Sequence, residues 1–374
     1  MFQITKEDIQ KLSDKDLREL VGKLCEAELR KQNIPSVYVT YGGDQDATDG
    51  GIDVCVRIDD TYHIDGFVPR NYTGFQVKVQ KMRASEINKE MRPNNYLRDY
   101  IKEIADQSGS YIIVSAQDDT SKTKLTSRKD AMKEAVSDYP AAINLKLDFY
   151  DCQRVATWVN GHASMIQWVH MKTGACLSGW EPFSNWSDTK GNIDDEYFMN
   201  GVKLINVSCK GRYNELSAVE GINQIRQSLN TPGVSVRIVG LSGVGKTRLA
   251  QALCDERIGE HAINSDSIVY TDLTHSPSPP SETMAQILAT RIDKTVLIID
   301  NCAPDLHRIL SEICKKGNGN VSLLTIEYDI QTDQKEEVDV YKLEPASIEL
   351  IEQILQLRHK HLGQISIKRI AEFS

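Results

Sequence analysis

The stretch Gly240-Leu241-Ser242-Gly243-Val244-Gly245-Lys246-Thr247 has the spacing G-x-x-x-x-G-K-[ST] and lies between an apolar run, Val234 to Val239, and a helical run, Arg248 to Leu253. Glycines so placed let backbone N–H groups close around a phosphate at a helix start, while Lys246 reaches the β and γ oxygens and the Thr247 hydroxyl binds Mg²⁺. The pattern implies binding of a nucleoside triphosphate. Thr295-Val-Leu-Ile-Ile-Asp300 agrees with this, being an apolar strand that ends in a carboxylate able to hold the Mg²⁺ shell beside such a loop. Asn301 follows Asp300 where a second acid would help hydrolysis. An amide orients water but cannot act as a base, so slow turnover is expected, which suits a switch better than a motor.

A second constellation lies near the N-terminus, where Gly50-Gly51-Ile52-Asp53 leads into one strand and Gln76 and Lys78 lie on the next. Period-2 alternation points Gln76 and Lys78 to one face. With Asp53 at the neighbouring strand's edge, a carboxylate, an amide oxygen and an ammonium converge. That set can hold Mg²⁺ against a phosphate, with Asp53 and Gln76 as ligands and Lys78 positioning water and neutralising charge. Phosphodiester hydrolysis is the matching reaction. Asp44, Asp46 and Asp49 in the preceding loop read as an acidic solvated turn rather than further ligands. Between Lys78 and Lys102 the cations Lys81, Arg83, Lys89, Arg92 and Arg98 outnumber Glu86, Glu90 and Asp99. That excess fits a path along a DNA backbone or an ordinary solvated helix face equally well, and nothing in it reads bases.

The elements that must carry these residues follow from patterning. Leu17, Leu20, Val21, Leu24 and Leu29 recur at helical spacing after Ser13 until Pro35. Strands are expected at Ser36 to Tyr41, Ile52 to Ile58, Thr73 to Val79, Tyr111 to Ser115 and Ile143 to Tyr150, with helices at Ser85 to Ala105, Lys124 to Ser137 and Asp151 to Val169. Trp158 and Trp168 lie in the last of these and are expected in the core. From Lys172 to Asn200, Gly, Ser, Asn, Asp and aromatics predominate, including Trp180 and Trp186, so an ordered connector with little regular structure is expected. Beyond it, strands at Val234 to Val239, Ser267 to Tyr270, Thr295 to Ile299, Val321 to Thr325 and Val338 to Lys342 alternate with helices, which predicts a parallel sheet covered on both faces. The class is α/β, in at least two domains for 374 residues.

A net charge of −9 argues against a surface coated in nucleic acid but leaves room for a local basic groove. Eight cysteines without a C-x-x-C pair suit reduced thiols in the cytoplasm better than a disulfide frame or zinc site. No apolar run is long enough to span a bilayer, and His359 and His361 lack partners and read as surface residues.

Residues 1–170, from Met1 to His170, resemble the Mrr-like group of PD-(D/E)xK nucleases in their acidic first helix, Gly-Ile-Asp53 and Gln76-x-Lys78. The resemblance implies a restriction-endonuclease-like fold acting on double-stranded DNA, with a glutamate on the first helix completing the metal site. Glu19 fits best and Glu26 is the alternative. Residues 206–345 resemble STAND-class P-loop NTPases in Gly211-Arg212, the Gly240 to Ala250 stretch and Leu324-Thr325, with 171–205 as connector and 346–374 as the start of a helical subdomain. That resemblance implies ATP with Mg²⁺ as cofactors, Arg212 near the adenine and Thr325 as a sensor on the γ-phosphate side. Asn301 after Asp300, and Glu327 near a position where relatives carry a sensor arginine, depart from the pattern.

Together the two parts resemble antiviral STAND proteins of prokaryotes. There a C-terminal sensor recognises a phage protein, the ATP-bound core forms a homo-oligomer, and the nuclease then degrades DNA. The winged-helix and sensor regions of that family are missing from the chain, which therefore reads as a fragment or truncated product. Two other readings stay open: a regulatory ATP-binding scaffold whose N-terminal domain binds DNA or a partner without cutting, which Gln76 in place of an acid keeps alive, and an autonomous restriction enzyme that translocates on ATP.

Overall fold

Thr5 forms a capping box with Asp8 and starts α1 (Lys6–Gln10), and the Ser13 hydroxyl, accepting from the Asp16 N–H, starts α2 (Asp14–Lys31). These open the computed structural model, which describes residues 2–42, 52–174, 177–187, 197, 199, 201–207, 213–317, 319–328, 338–359 and 361–372. Asp44, Asp46, Asp49, Gly50-Gly51, Gly211 and Arg212 lie outside the described residues.

The chain divides into two compact units, Met1–Cys176 and Leu177–Ser374. In the first, α1 and α2 are followed by β1 (Val39–Tyr41), β2 (Val54–Arg57), β3 (Tyr72–Lys78), α3 (Ala84–Met91), α4 (Asp99–Asp106), β4 (Ser110–Ser115), α5 (Lys122–Ala135), β5 (Lys146–Tyr150), α6 (Cys152–Asn160) and α7 (Ala163–Thr173). Its sheet runs β1-β2-β3-β4-β5, antiparallel from β1 to β3 and parallel from β3 to β5. The central strand β3 is therefore the one that carries Gln76 and Lys78. The single helix expected over Ser85 to Ala105 is two, because Pro93 bars helical geometry at the preceding residue and Asn94 and Asn95 take φ of 54° and 67°. His162, extended at φ −136° and ψ 110°, separates α6 from α7. Trp158 and Trp168 are buried, and the Trp158 ring stacks on Phe67 at 5.1 Å between centroids.

The second unit contains β6 (Trp180–Glu181), α8 (Phe183–Trp186), β7 (Lys203–Val207), β8 (Tyr213–Ser217), α9 (Ala218–Asn230), β9 (Ser235–Val239), α10 (Lys246–Ala252), β10 (Ile268–Asp272), α11 (Ser281–Ala289), β11 (Thr295–Asp300), α12 (Pro304–Lys316), β12 (Val321–Glu327), β13 (Asp339–Leu343), α13 (Ile348–Arg358) and α14 (Gln364–Glu372). Strand order is β6-β10-β11-β12-β9-β13-β7-β8. The five strands from β10 to β13 are parallel, as the alternating pattern predicts, but β6 closes one edge and β7 and β8 the other in antiparallel fashion, so the sheet is mixed.

The stretch expected as an ordered connector contributes a strand and a short helix to this unit. Trp180 pairs with Thr271 in the sheet and its indole N–H donates to the Pro279 carbonyl at 2.9 Å, while Trp186 stacks on Tyr270 at 4.1 Å. Burying two tryptophans fixes the segment, since each removes more than ~150 Å² from water.

Candidate functional site

In the second unit, β9 is buried throughout and delivers the chain to Gly240, whose φ of 151° no L-residue adopts easily; a Cβ there would meet the Leu343 carbonyl oxygen at 2.7 Å. Gly243 and Gly245 also take positive φ, 81° and 98°, and α10 begins at Lys246. The loop thus curls back on itself, and its centre holds the Lys246 ammonium, which donates to the carbonyls of Gly240 at 2.8 Å and Leu241 at 2.6 Å. Burial lowers the Lys246 pKa.

One residue on, the Thr247 hydroxyl donates to Asp300 Oδ2 at 2.7 Å, and Tyr270 approaches the same oxygen at 3.4 Å. Burial pushes the Asp300 carboxyl above the usual carboxylate range, and hydrogen bonds from Thr247 and the Asn301 N–H pull it partly back. A half-buried hydroxyl and a buried carboxylate in contact, beside a glycine-lined loop, are the oxygens a Mg²⁺ shell needs, so the residues fit that ion. A cavity of about 720 Å³ adjoins the loop at Ser242, Gly243 and Gly245 and is otherwise largely apolar, with Met199, Val202, Ile351 and Ile354 in its wall. Arg248 lies over the Tyr197 ring, 4.0 Å from its centroid, at the same cavity.

Thr325 does not join this cluster. In register, Asp300 pairs with Ile326 and Ile299 with Thr325, so period-2 alternation points Thr325 to the opposite face of the sheet from Asp300. There its hydroxyl meets His307 Nδ1 of α12 at 2.7 Å, inside a buried layer that also holds the Arg237–Glu327 ion pair. Burial, with Arg237 and Lys315 nearby, drives the His307 pKa down to about 3, so the ring is neutral. The sensor role expected of Thr325 is therefore corrected to a structural one, and Glu327 is occupied with Arg237. Arg212 falls outside the described residues.

In the first unit, Asp53 sits at the mouth of β2 and its N–H donates to the Phe75 carbonyl at 3.0 Å, which sets the register with β3. Asp53 Oδ2 accepts from the Gln76 amide at 2.7 Å and from the Val77 N–H at 2.7 Å, and Lys78 acts electrostatically on the same carboxylate. Burial raises the Asp53 pKa, against the Val77 N–H, Arg18 and Lys78, which lower it. Lys78 pairs with Glu90 of α3 at 3.1 Å, and Arg98 clamps Glu90 at 3.2 Å from the other side. Tyr100 donates to the Gln76 amide oxygen at 3.3 Å. Asp53 and Gln76 are thus in contact, but through the amide nitrogen rather than the expected oxygen, and Lys78 acts on Asp53 electrostatically while pairing with Glu90.

Glu19 is not part of it. That side chain is spread between Lys23 at 3.7 Å and Lys172 at 3.8 Å, whereas Arg18 Nε reaches Asp53 Oδ1 at 3.1 Å and is itself held by Asp14 at 2.7 Å. The buried stripe Leu17, Leu20, Val21 and Leu24 fixes the rotation of α2, and that rotation turns Arg18 toward β2. Glu26 pairs with Arg30 at 3.8 Å. Arg18, Asp14, Glu90 and Tyr100 were missed from sequence, although the spacing of Asp14 and Arg18 by one helical turn was a usable signal.

Among the described residues no group of three or more His, Cys, Asp and Glu is arranged to hold a metal ion. Asp53 and the Gln76 amide oxygen are the oxygens that would hold Mg²⁺ here, an ion that commonly keeps waters in its remaining positions. The amide nitrogen now faces Asp53, so ligation by Gln76 requires the amide to turn over. Of the basic segment, Lys78, Arg92, Arg98 and Lys102 are engaged in ion pairs with Glu90, Asp138, Glu90 and Asp99, leaving Lys81, Arg83 and Lys89 as exposed cations. His359 and His361 are exposed.

No family model matches the chain, and no curated protein does. A chain of a solved structure, described as "Structure of E. coli MS115-1 HORMA:CdnC:Trip13 complex", aligns over 41% of this chain and 67% of its own length with 14% identity and a TM-score of 0.27. At that similarity the functional reading rests on the geometry of the two sites. Among the described residues no helix is long and apolar enough to cross a membrane.

Proposed function

We propose that the chain is the nuclease and ATP-binding part of a prokaryotic anti-phage defence protein, in which Mg²⁺-ATP on Gly240, Gly243, Gly245, Lys246, Thr247 and Asp300 controls a Mg²⁺-dependent endonuclease centred on Asp53, Gln76 and Lys78. The observation that carries this reading is the Thr247–Asp300 contact of 2.7 Å at the end of a glycine loop, because it joins two sequence motifs 53 positions apart in one cation-ready pocket. The Asp53–Gln76 contact of 2.7 Å supports the second half.

ATP binding selects a conformation that self-associates, and association between copies brings nuclease domains onto both strands of a DNA duplex. Each residue has a definite task. The loop amides and Lys246 bind the phosphates, and Thr247 and Asp300 hold the cation. At the other site Asp53 holds a cation, which supplies charge neutralisation and an acidified water when bound, while Lys78 sets the phosphate and the attacking water in place. A phage protein is the proposed trigger.

Calorimetric titration tests the first half: the unaltered chain binds Mg²⁺-ATP, and Lys246→Ala weakens binding by about tenfold or more, the loss of a charge-assisted contact. Equal affinity of the two chains would remove the loop from the account.

A regulatory scaffold with a DNA-binding but non-cleaving first unit is the second reading. The Arg18–Asp53 pair at 3.1 Å favours it, because a cation already sits against the carboxylate that would hold Mg²⁺.

A further inference from the structure

Asp272 and Asp300 close neighbouring parallel strands in the same register. Both alternate onto the face occupied by Tyr270 and Ile298, so the two carboxylates stand side by side at the sheet's C-terminal edge. Asp272 is one of the charges acting on Asp300. Immediately after Asp300 the chain turns through Asn301, at φ 56°, and the Asn301 amide donates to Asp272 Oδ1 at 2.9 Å. The same oxygen accepts from the Thr274 N–H at 2.9 Å and hydroxyl at 2.8 Å. Among the described residues, the hydrogen bonds to this carboxylate all fall on Oδ1, so three donors fix the group while Oδ2 keeps its lone pairs. Burial works against the Asp272 charge, but hydrogen bonds from Asn301 and Thr274 outweigh it and hold the pKa below the ordinary carboxylate value.

Hydrolysis of a triphosphate needs a group that orients and deprotonates water, and Asn301 cannot supply the base. The acid missing after Asp300 stands instead on the adjacent strand, bonded to the residue that replaced it. We propose that Asp272 is the water-activating carboxylate of the nucleotide site, with Asn301 as its positioning residue. This rests on the reading of Gly240 to Thr247 as a triphosphate site. In the step, the water oxygen bonds to the γ-phosphorus and the bond from that phosphorus to the β,γ-bridging oxygen breaks, its electron pair leaving with the diphosphate. The water proton passes to Asp272 and then to solvent.

The experiment measures nucleotide affinity and phosphate release on the full chain with Mg²⁺-ATP. Asp272→Asn keeps shape and hydrogen bonds, and it is expected to lower kcat by about 10²-fold or more while the dissociation constant stays within about threefold. Adding Asn301→Asp to that variant returns a carboxylate to the next strand end, still facing an amide, and should recover about tenfold in kcat. Turnover by Asp272→Asn within about threefold of the unaltered chain would overturn the inference, as would affinity and turnover falling together, the signature of a purely structural residue. Binding without any turnover in the unaltered chain also overturns it. Failure of the unaltered chain to bind nucleotide is a different result, and it removes the phosphate-loop reading itself.

Discussion

Arg18 Nε lies 3.1 Å from Asp53 Oδ1, so the carboxylate best placed to hold a cation already faces one from α2. Arg18→Ala leaves a largely buried carboxylate without its counter-charge. With Arg18 about a quarter exposed, the expected loss is about 1–2 kcal/mol, below that of a fully buried pair. Mg²⁺ then substitutes for the guanidinium, and thermal unfolding of Arg18→Ala should rise with Mg²⁺ more than that of the unaltered chain. Equal Mg²⁺ responses would show that Asp53 does not take the ion.

Among the described residues, Glu19 makes only long, partly exposed pairs with Lys23 and Lys172. Its replacement by alanine is expected to cost less than about 1 kcal/mol and to leave DNA cleavage within about twofold. A large loss of cleavage at unchanged stability would return Glu19 to the metal site.

Thr325→Val removes the hydroxyl that His307 Nδ1 meets at 2.7 Å and keeps the volume. The buried ring nitrogen loses its partner, at about 1–3 kcal/mol, while nucleotide turnover stays within about twofold because the side chain faces away from Asp300. Chemical denaturation paired with a phosphate-release assay separates the two effects. Loss of turnover without loss of stability contradicts the face assignment.

His307 sets a pH dependence. Its folded-state pKa, about 3, is below the unfolded value, so protons bind the unfolded chain first and stability is lost as pH falls from about 6.5 toward 3. Between pH 7.5 and 5.5 this one group should remove about 1.4 kcal/mol, a loss absent from His307→Gln. Urea unfolding of both chains at the two pH values measures the difference. Identical pH dependence would mean that His307 is not held neutral.

The parts of the molecule legible in the sequence were those fixed locally. Gly240, Gly245 and Lys246 announce a loop because only their backbone freedom and charge make one, and Asp300 is marked by the apolar strand it ends. Gln76 and Lys78 share a face by alternation alone. What the sequence hid depended on packing. The rotation of α2, decided by which of its apolar residues are buried, chose Arg18 over Glu19. The strand register, decided by the neighbours of β12, turned Thr325 away from Asp300. Asp272 carries no motif, and its place beside Asp300 comes only from the pairing of β10 with β11. Trp180 and Trp186 sit in a stretch whose composition reads as an ordered connector with little regular structure, and edge pairing of Trp180 and stacking of Trp186 on Tyr270 add a strand and a short helix that composition does not mark.

Cleavage of supercoiled plasmid DNA with Mg²⁺, ATP and candidate phage trigger proteins tests the central claim most directly, using the unaltered chain, Lys78→Ala and Lys246→Ala, with particle mass read on the same samples. The expected result is cutting by the unaltered chain alone, with Lys78→Ala still binding ATP and associating and Lys246→Ala doing neither. Cutting by Lys78→Ala, or ATP-independent cutting by Lys246→Ala at the unaltered rate, would contradict a nuclease centred on Asp53, Gln76 and Lys78 and governed by the nucleotide.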